Sequence, residues 1–142
     1  YGSLQGKNKA ETSKIYGDEM VKKWRRSYDI PPPKLSELEV AEEKNKANFS
    51  INNGCDWPAS ESLKDTFNRV INFWKREIEN KFPNKNILIV AHGNTIRSIV
   101  KYIENISDNN IVKVEIATGQ PLIYSYSNSK SPSKKHFKFD DI

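Results

Sequence analysis

Two hydrophobic patterns meet at His92. From Ile87 to Val90 every position is apolar, whereas beyond Gly93 the apolar residues Ile96, Ile99, Val100 and Ile103 fall at helical spacing. The unbroken run predicts a strand over Ile87 to Ala91, of the kind covered on both faces in a parallel sheet. The spacing after it predicts a helix from about Thr95 to Glu104. Upstream, Leu63, Phe67, Val70, Ile71, Trp74, Ile78 and Phe82 form one apolar stripe, predicting a helix from about Glu61 to Phe82 that "FPNKN" ends. Near the start, Asn8 and Glu11 have capping-box character and open a short helix through Ile15. Gly17 can end that helix, and Asp18 can cap a second one, "EMVKKWRRS". "IPPP" at Ile30 to Pro33 forbids helix, because proline lacks a donor and fixes φ.

Toward the end, a short helical turn is expected near Asp108, "ATGQP" makes a turn, and "LIYSYS" alternates as a second strand does. Lys34 to Ala59 is charged and without a lasting period. It reads as a long variable excursion with one helical turn around Leu38 to Lys44. Residues 127–142 read as a polar, mobile tail. The alternation of helices and strands means an α/β fold, and 142 residues suit one domain, from 1 to 142, with a real core.

Composition narrows the class of function. A mean hydropathy of −0.76 and the lack of a span-length apolar stretch predict a soluble protein with no membrane partner. A net charge of +5 favours anionic partners, from nucleic acid down to a small phosphorylated metabolite. The sole cysteine, Cys55, cannot form an intrachain disulfide, which makes a reducing cytoplasm the default compartment. Trp24, Trp57 and Trp74 beside many lysines could hint at nucleic acid. No aromatic-basic interleaving matches a nucleic-acid module, however, so none is expected. The chain opens at Tyr1 without a methionine and reads as a fragment.

Three stretches could carry chemistry. His92, Gly93 and Asn94 sit where ligands bind in open α/β sheets, at the carboxyl end of a strand and before a helix N-terminus. Gly93 would let the backbone approach a ligand, and Asn94 could cap the helix or donate its amide to an oxyanion. A corner histidine with a plain capping asparagine is the open alternative. Arg25 and Arg26 of "WRRSYD" lie about 100° apart on a helix, but at its end both can reach one anion through their guanidinium forks. A solvated basic helix end is the alternative there. In "YGSLQGKNKAE", Tyr1 and Lys9 offer a hydroxyl and an ammonium, without the spacing of a P-loop. His136 lies in the basic tail and takes no role, and a thiol nucleophile pairing Cys55 with His92 has nothing to support it.

In order along the chain, "YGSLQGKNKAE", "WRRSYDIPPP", "ESLKDT", "ILIVAHGNTIR" and "ATGQPLIY" resemble the 2,3-bisphosphoglycerate-dependent phosphoglycerate mutases of the histidine phosphatase superfamily. The resemblance runs from Tyr1 to about Tyr126 and is weak over Lys34 to Ala59. It implies a three-layer sandwich, a mostly parallel sheet flanked by helices, with an N-terminal part missing here. It also implies that Tyr1, Lys9, Arg25 and Arg26 contact the phosphoglycerate, that His92 is the catalytic residue supporting the transferring phosphoryl group, and that Gly93 and Asn94 touch the ligand.

The activity so implied interconverts 2- and 3-phosphoglycerate through a phosphohistidine primed by 2,3-bisphosphoglycerate, in glycolysis and gluconeogenesis, without a metal. A homodimer and a homotetramer are both open. In the family the nucleophile is the histidine of an "RHG" motif, and the acid-base glutamate lies three residues before the tyrosine of "YG". Neither is among these residues, so the chain by itself is expected to be inactive. A phosphatase of the same superfamily and a non-catalytic anion-binding remnant are the alternatives.

Overall fold

Short polar side chains set where α-helices begin at Asn8, Ser36 and Ser62. In the computed structural model, which describes residues 1–46, 57–126 and 133–135, Asn8 Oδ1 accepts from the Ala10 amide at 2.8 Å and opens α1, Lys9–Tyr16. Gly17, at φ 82°, ends α1 in a backbone conformation that favours glycine. Gly17 rather than Asp18 then stands as N-cap of α2, Asp18–Arg26. Asp18 instead lies in the first turn, where its charge complements the helix dipole.

Two further starts are reciprocal capping boxes. Ser36 and Glu39 exchange hydrogen bonds ahead of α3, Glu37–Lys46, which is longer than the single turn expected there. Ser62 and Asp65 do the same at α4, Leu63–Phe73: Asp65 Oδ2 accepts from the Ser62 amide at 2.9 Å and from its hydroxyl at 2.6 Å.

Contacts divide the chain into two units, Tyr1–Asp65 and Thr66–Ile142. In the first unit, the prolines that cannot donate serve as acceptors. Pro33 O accepts from the Ser3 amide at 2.9 Å, and Pro32 O accepts from the Ser60 hydroxyl at 2.6 Å. The 3-10 turn Gly2–Leu4 is thereby fastened to the proline segment. Gly2 is obligatory in that turn: its φ is +54°, and a Cβ would stand 2.0 Å from the Pro33 carbonyl oxygen.

In the second unit, Val70, Ile71, Trp74 and Ile99 form a core with Phe67, Ile78, Tyr102 and Ile103 packed against it. They come from α4, from the turn that continues it and from α5, Gly93–Ile103. The helical run begun by α4 changes winding at Trp74, passing through a π-helical turn, Trp74–Ile78, into a 3-10 segment, Glu79–Asn84. It is thus continuous over the expected length without being one α-helix. α5 ends with Asn105 at φ 50° and the Ile106 amide bonded to Lys101 O at 3.0 Å, an asparagine-based αL stop. The turn expected near Asp108 leads into a 3-10 turn, Ile111–Lys113.

The sheet differs from expectation. Among the described residues it has two antiparallel strands, β1 (Ile123–Ser125) and β2 (Ser133–Lys135), with Tyr124 opposite Lys134. β1 falls within "LIYSYS", and β2 lies inside the stretch read as a tail. Residues 85–92 take no regular secondary structure, and Leu88 and Val90 are both 88% exposed. A strand is completed by its neighbour's hydrogen bonds, and no described residue supplies them to 87–91. Cys55, His136, part of the 34–59 excursion and most of 127–142 lie outside the described residues.

Two outcomes check this account. Gly2→Ala should lower the thermal midpoint by about 3 °C or more, since it adds left-handed strain and a backbone clash; an unchanged midpoint would refute the Gly2–Pro33 contact. The bonds from the Ser62 hydroxyl and amide hold the Asp65 carboxyl below the usual carboxylate range. Its contribution is therefore complete above the unfolded pKa of about 3.9 and lost as pH falls through the folded value. Urea midpoints taken across the acid range should fall more steeply for the native chain than for Asp65→Ala; parallel curves would contradict this.

Candidate functional site

In the first unit a cleft of about 290 Å³ gathers much of what the sequence singled out. It is lined by Tyr1, Lys9 and Arg25, together with Gly6, Lys7 and Thr12. The local folding explains the grouping. Lys9 is the first residue of α1, Arg25 lies in the last turn of α2, and Tyr1 directly precedes the Gly2 turn. Lys7, between Gly6 and the Asn8 cap, escapes the sequence reading because it belongs to no periodic element. Its charge also reaches Glu39, whose carboxyl is held below its ordinary range chiefly by bonds from Ser36, with Lys7 the smallest contributor.

Arg26, the last residue of α2, is half-buried and is not among the cleft-lining residues. Adjacent helical positions diverge by about 100°, so the two arginines part even at the helix end. The cleft is open and cationic, with guanidinium, ammonium and phenol donors. That chemistry suits a small polyanion carrying phosphate and carboxylate groups.

The second unit holds the other candidates. His92 is the N-cap of α5, at φ −62° and ψ 147°, and its Nδ1 accepts from the Asn94 amide at 3.2 Å. The cap is thus the histidine, and Asn94 sits inside the first turn. Because Nδ1 accepts, neutral His92 carries its proton on Nε2. Asn94 is half-buried, and its Oδ1 accepts from Arg97 Nη1 at 3.3 Å. Gly93 has no close contact that a Cβ would disturb, so the fold itself does not demand glycine there.

Arg97 and Lys101, one turn apart on α5, are charged yet only 4% and 7% exposed. Arg97 Nη2 donates to Ile111 O at 2.8 Å, while Lys101 Nζ donates to Ile106 O and pairs with Asp108 at 2.7 Å. Sequence reading passed over both, since periodicity counts a cation as outward-facing. Among the described residues no group of three or more His, Cys, Asp or Glu could hold a metal ion. No helix among them is long and apolar enough to cross a membrane.

Comparisons with known proteins agree with the motifs. Residues 34–137 match the model of the histidine phosphatase superfamily, branch 1. Over 138 residues the chain is 45% identical to a protein named 2,3-bisphosphoglycerate-dependent phosphoglycerate mutase from Buchnera aphidicola subsp. Cinara cedri (strain Cc), covering 96% of this chain. The match covers 60% of that relative's length.

The capping geometry has a direct spectroscopic consequence. Nitrogen-15 NMR at neutral to mildly alkaline pH should show His92 as the Nε2–H tautomer, with Nδ1 unprotonated. The opposite tautomer would mean that the Asn94 amide does not bond to the ring.

Proposed function

This chain belongs to the histidine phosphatase superfamily, branch 1, and from that membership we propose that the whole protein is a phosphoglycerate mutase primed by 2,3-bisphosphoglycerate. The observation that carries the proposal is the cleft uniting Tyr1, Lys9 and Arg25. These are the residues that the family resemblance assigns to phosphoglycerate. The similarity to the Buchnera mutase supports the same reading, as does the match of charge between the cleft and a substrate bearing phosphate and carboxylate.

On this reading each group has one task. Arg25 grips an anionic group of the substrate with its planar fork. Lys9 adds a point charge, and the Tyr1 hydroxyl a directional donor. 2,3-Bisphosphoglycerate supplies the phosphoryl group that loads the enzyme, and the donor set of the cleft fits it as well as the monophosphates. His92 donates from Nε2 to the phosphoryl oxygens as charge shifts between them, with the Gly93 backbone amide and the Asn94 side-chain amide beside it at the positive end of α5.

His92 is not the nucleophile, because its Nδ1 is held by the cap and its role is to steady charge. The phosphoryl-carrying histidine of the family stands in an "RHG" motif, which the 142 residues do not contain. In the whole protein, Ile87–Ala91 joins the parallel sheet of a three-layer sandwich, and the protein works in the cytoplasm as a homodimer or homotetramer within one 1–142 mutase-like region.

The test is an assay of the full-length protein with 3-phosphoglycerate and catalytic 2,3-bisphosphoglycerate. The expected product is 2-phosphoglycerate, with none formed by the 142 residues alone. Release of inorganic phosphate without isomer would make the protein a phosphatase instead. Arg25→Ala should weaken phosphoglycerate binding by roughly 2–5 kcal/mol, and Lys46→Ala should leave it unchanged. Equal losses from the two would reduce Arg25 to ordinary surface charge.

A further inference from the structure

We infer that Arg97 is a positioning residue that fixes which end of the Asn94 amide faces the ligand. An asparagine amide can turn over, exchanging its acceptor oxygen for its donor nitrogen, and its neighbours decide between the two. Arg97 allows only one answer. A guanidinium donates and never accepts, so the Asn94 atom that it meets at 3.3 Å is Oδ1. The donor end, Nδ2, then points away from Arg97, as an amide serving an anion requires.

The guanidinium itself is held firmly. Arg97 is 4% exposed, and its other terminal nitrogen donates at 2.8 Å to the carbonyl of Ile111, a residue with no exposed surface. A second bond steadies the same turn from below: the Ser98 hydroxyl donates to the Asn94 carbonyl at 2.9 Å. Asn94 is therefore held through both its backbone and its side chain. A buried cation one helical turn beneath the α5 N-terminus also adds to the positive potential there.

Arg97 need not touch the substrate for either effect. It acts through Asn94, and the inference rests on the reading that Asn94 contacts phosphoglycerate.

A double-mutant cycle on the full-length protein tests it, with 3-phosphoglycerate affinity measured by calorimetry for the native protein, Asn94→Ala, Arg97→Lys and the double variant. Lysine keeps the charge but loses the fork that joins Asn94 to Ile111. The expected result is that Arg97→Lys weakens binding in the native background and has little further effect once Asn94 is alanine, a non-additivity of about threefold or more. Equal losses in both backgrounds would overturn the inference, leaving Arg97 as scaffolding or as a bulk charge. Unchanged affinity in Asn94→Ala would instead sink the site reading beneath it. If Arg97→Lys fails to fold, Arg97→Gln takes its place in the same cycle, with non-additivity again the supporting result and additivity the contrary one.

Discussion

The hydrogen bond from the Asn94 amide to His92 Nδ1 is the interaction on which the second unit's chemistry depends. It ends the irregular segment 85–92 and starts α5. It also decides the imidazole's tautomer, and it sets Asn94 in the first helical turn, where Arg97 can reach its side chain. A helix N-terminus offers unpaired amides and partial positive charge. Capping with a ring nitrogen instead of a hydroxyl uses one of those amides to orient an ionisable group. The local start of a helix and the orientation of an ionisable ring are the same event.

The first unit answers to a different constraint. Gly2 lies against the Pro33 carbonyl at a distance that admits no side chain, and this contact fixes the turn that carries Tyr1. Two short helices joined at Gly17 then bring Lys9 and Arg25 to the same cleft as Lys7. Gathering like charges opposes folding unless solvent or a counter-ion screens them. The cleft is open to water, which lowers that cost while no ligand is bound. A multiply charged anion would then find the donors assembled, with little left to order on binding.

Much of this was legible where the cause is local. The stripe from Leu63 through Ile78 located the core, Asn8 and Gly17 bounded α1, and the proline run excluded helix. The strand at Ile87–Ala91 was expected from the same kind of pattern, yet 85–92 has no regular structure, because a strand depends on residues distant in sequence. The Ser36–Glu39 and Ser62–Asp65 boxes follow the same rule as Asn8 and Glu11, the first in a segment without a lasting period and the second at the head of the apolar stripe. Arg97 and Lys101 could not be placed by hydropathy, since their burial depends on the Ile111 and Ile106 carbonyls folding back onto α5. The candidate ligand residues were a different matter. Their types suggested anion binding, whereas the choice of phosphoglycerate came from the resemblance of whole motifs.

The central claim is the proposal that the cleft of Tyr1, Lys9 and Arg25 receives phosphoglycerate. A crystal structure of the full-length protein with 3-phosphoglycerate tests it most directly. The account predicts a ligand within hydrogen-bonding distance of the Arg25 guanidinium and the Lys9 ammonium. A ligand bound elsewhere, with Arg25 and Lys9 both out of reach, would contradict it.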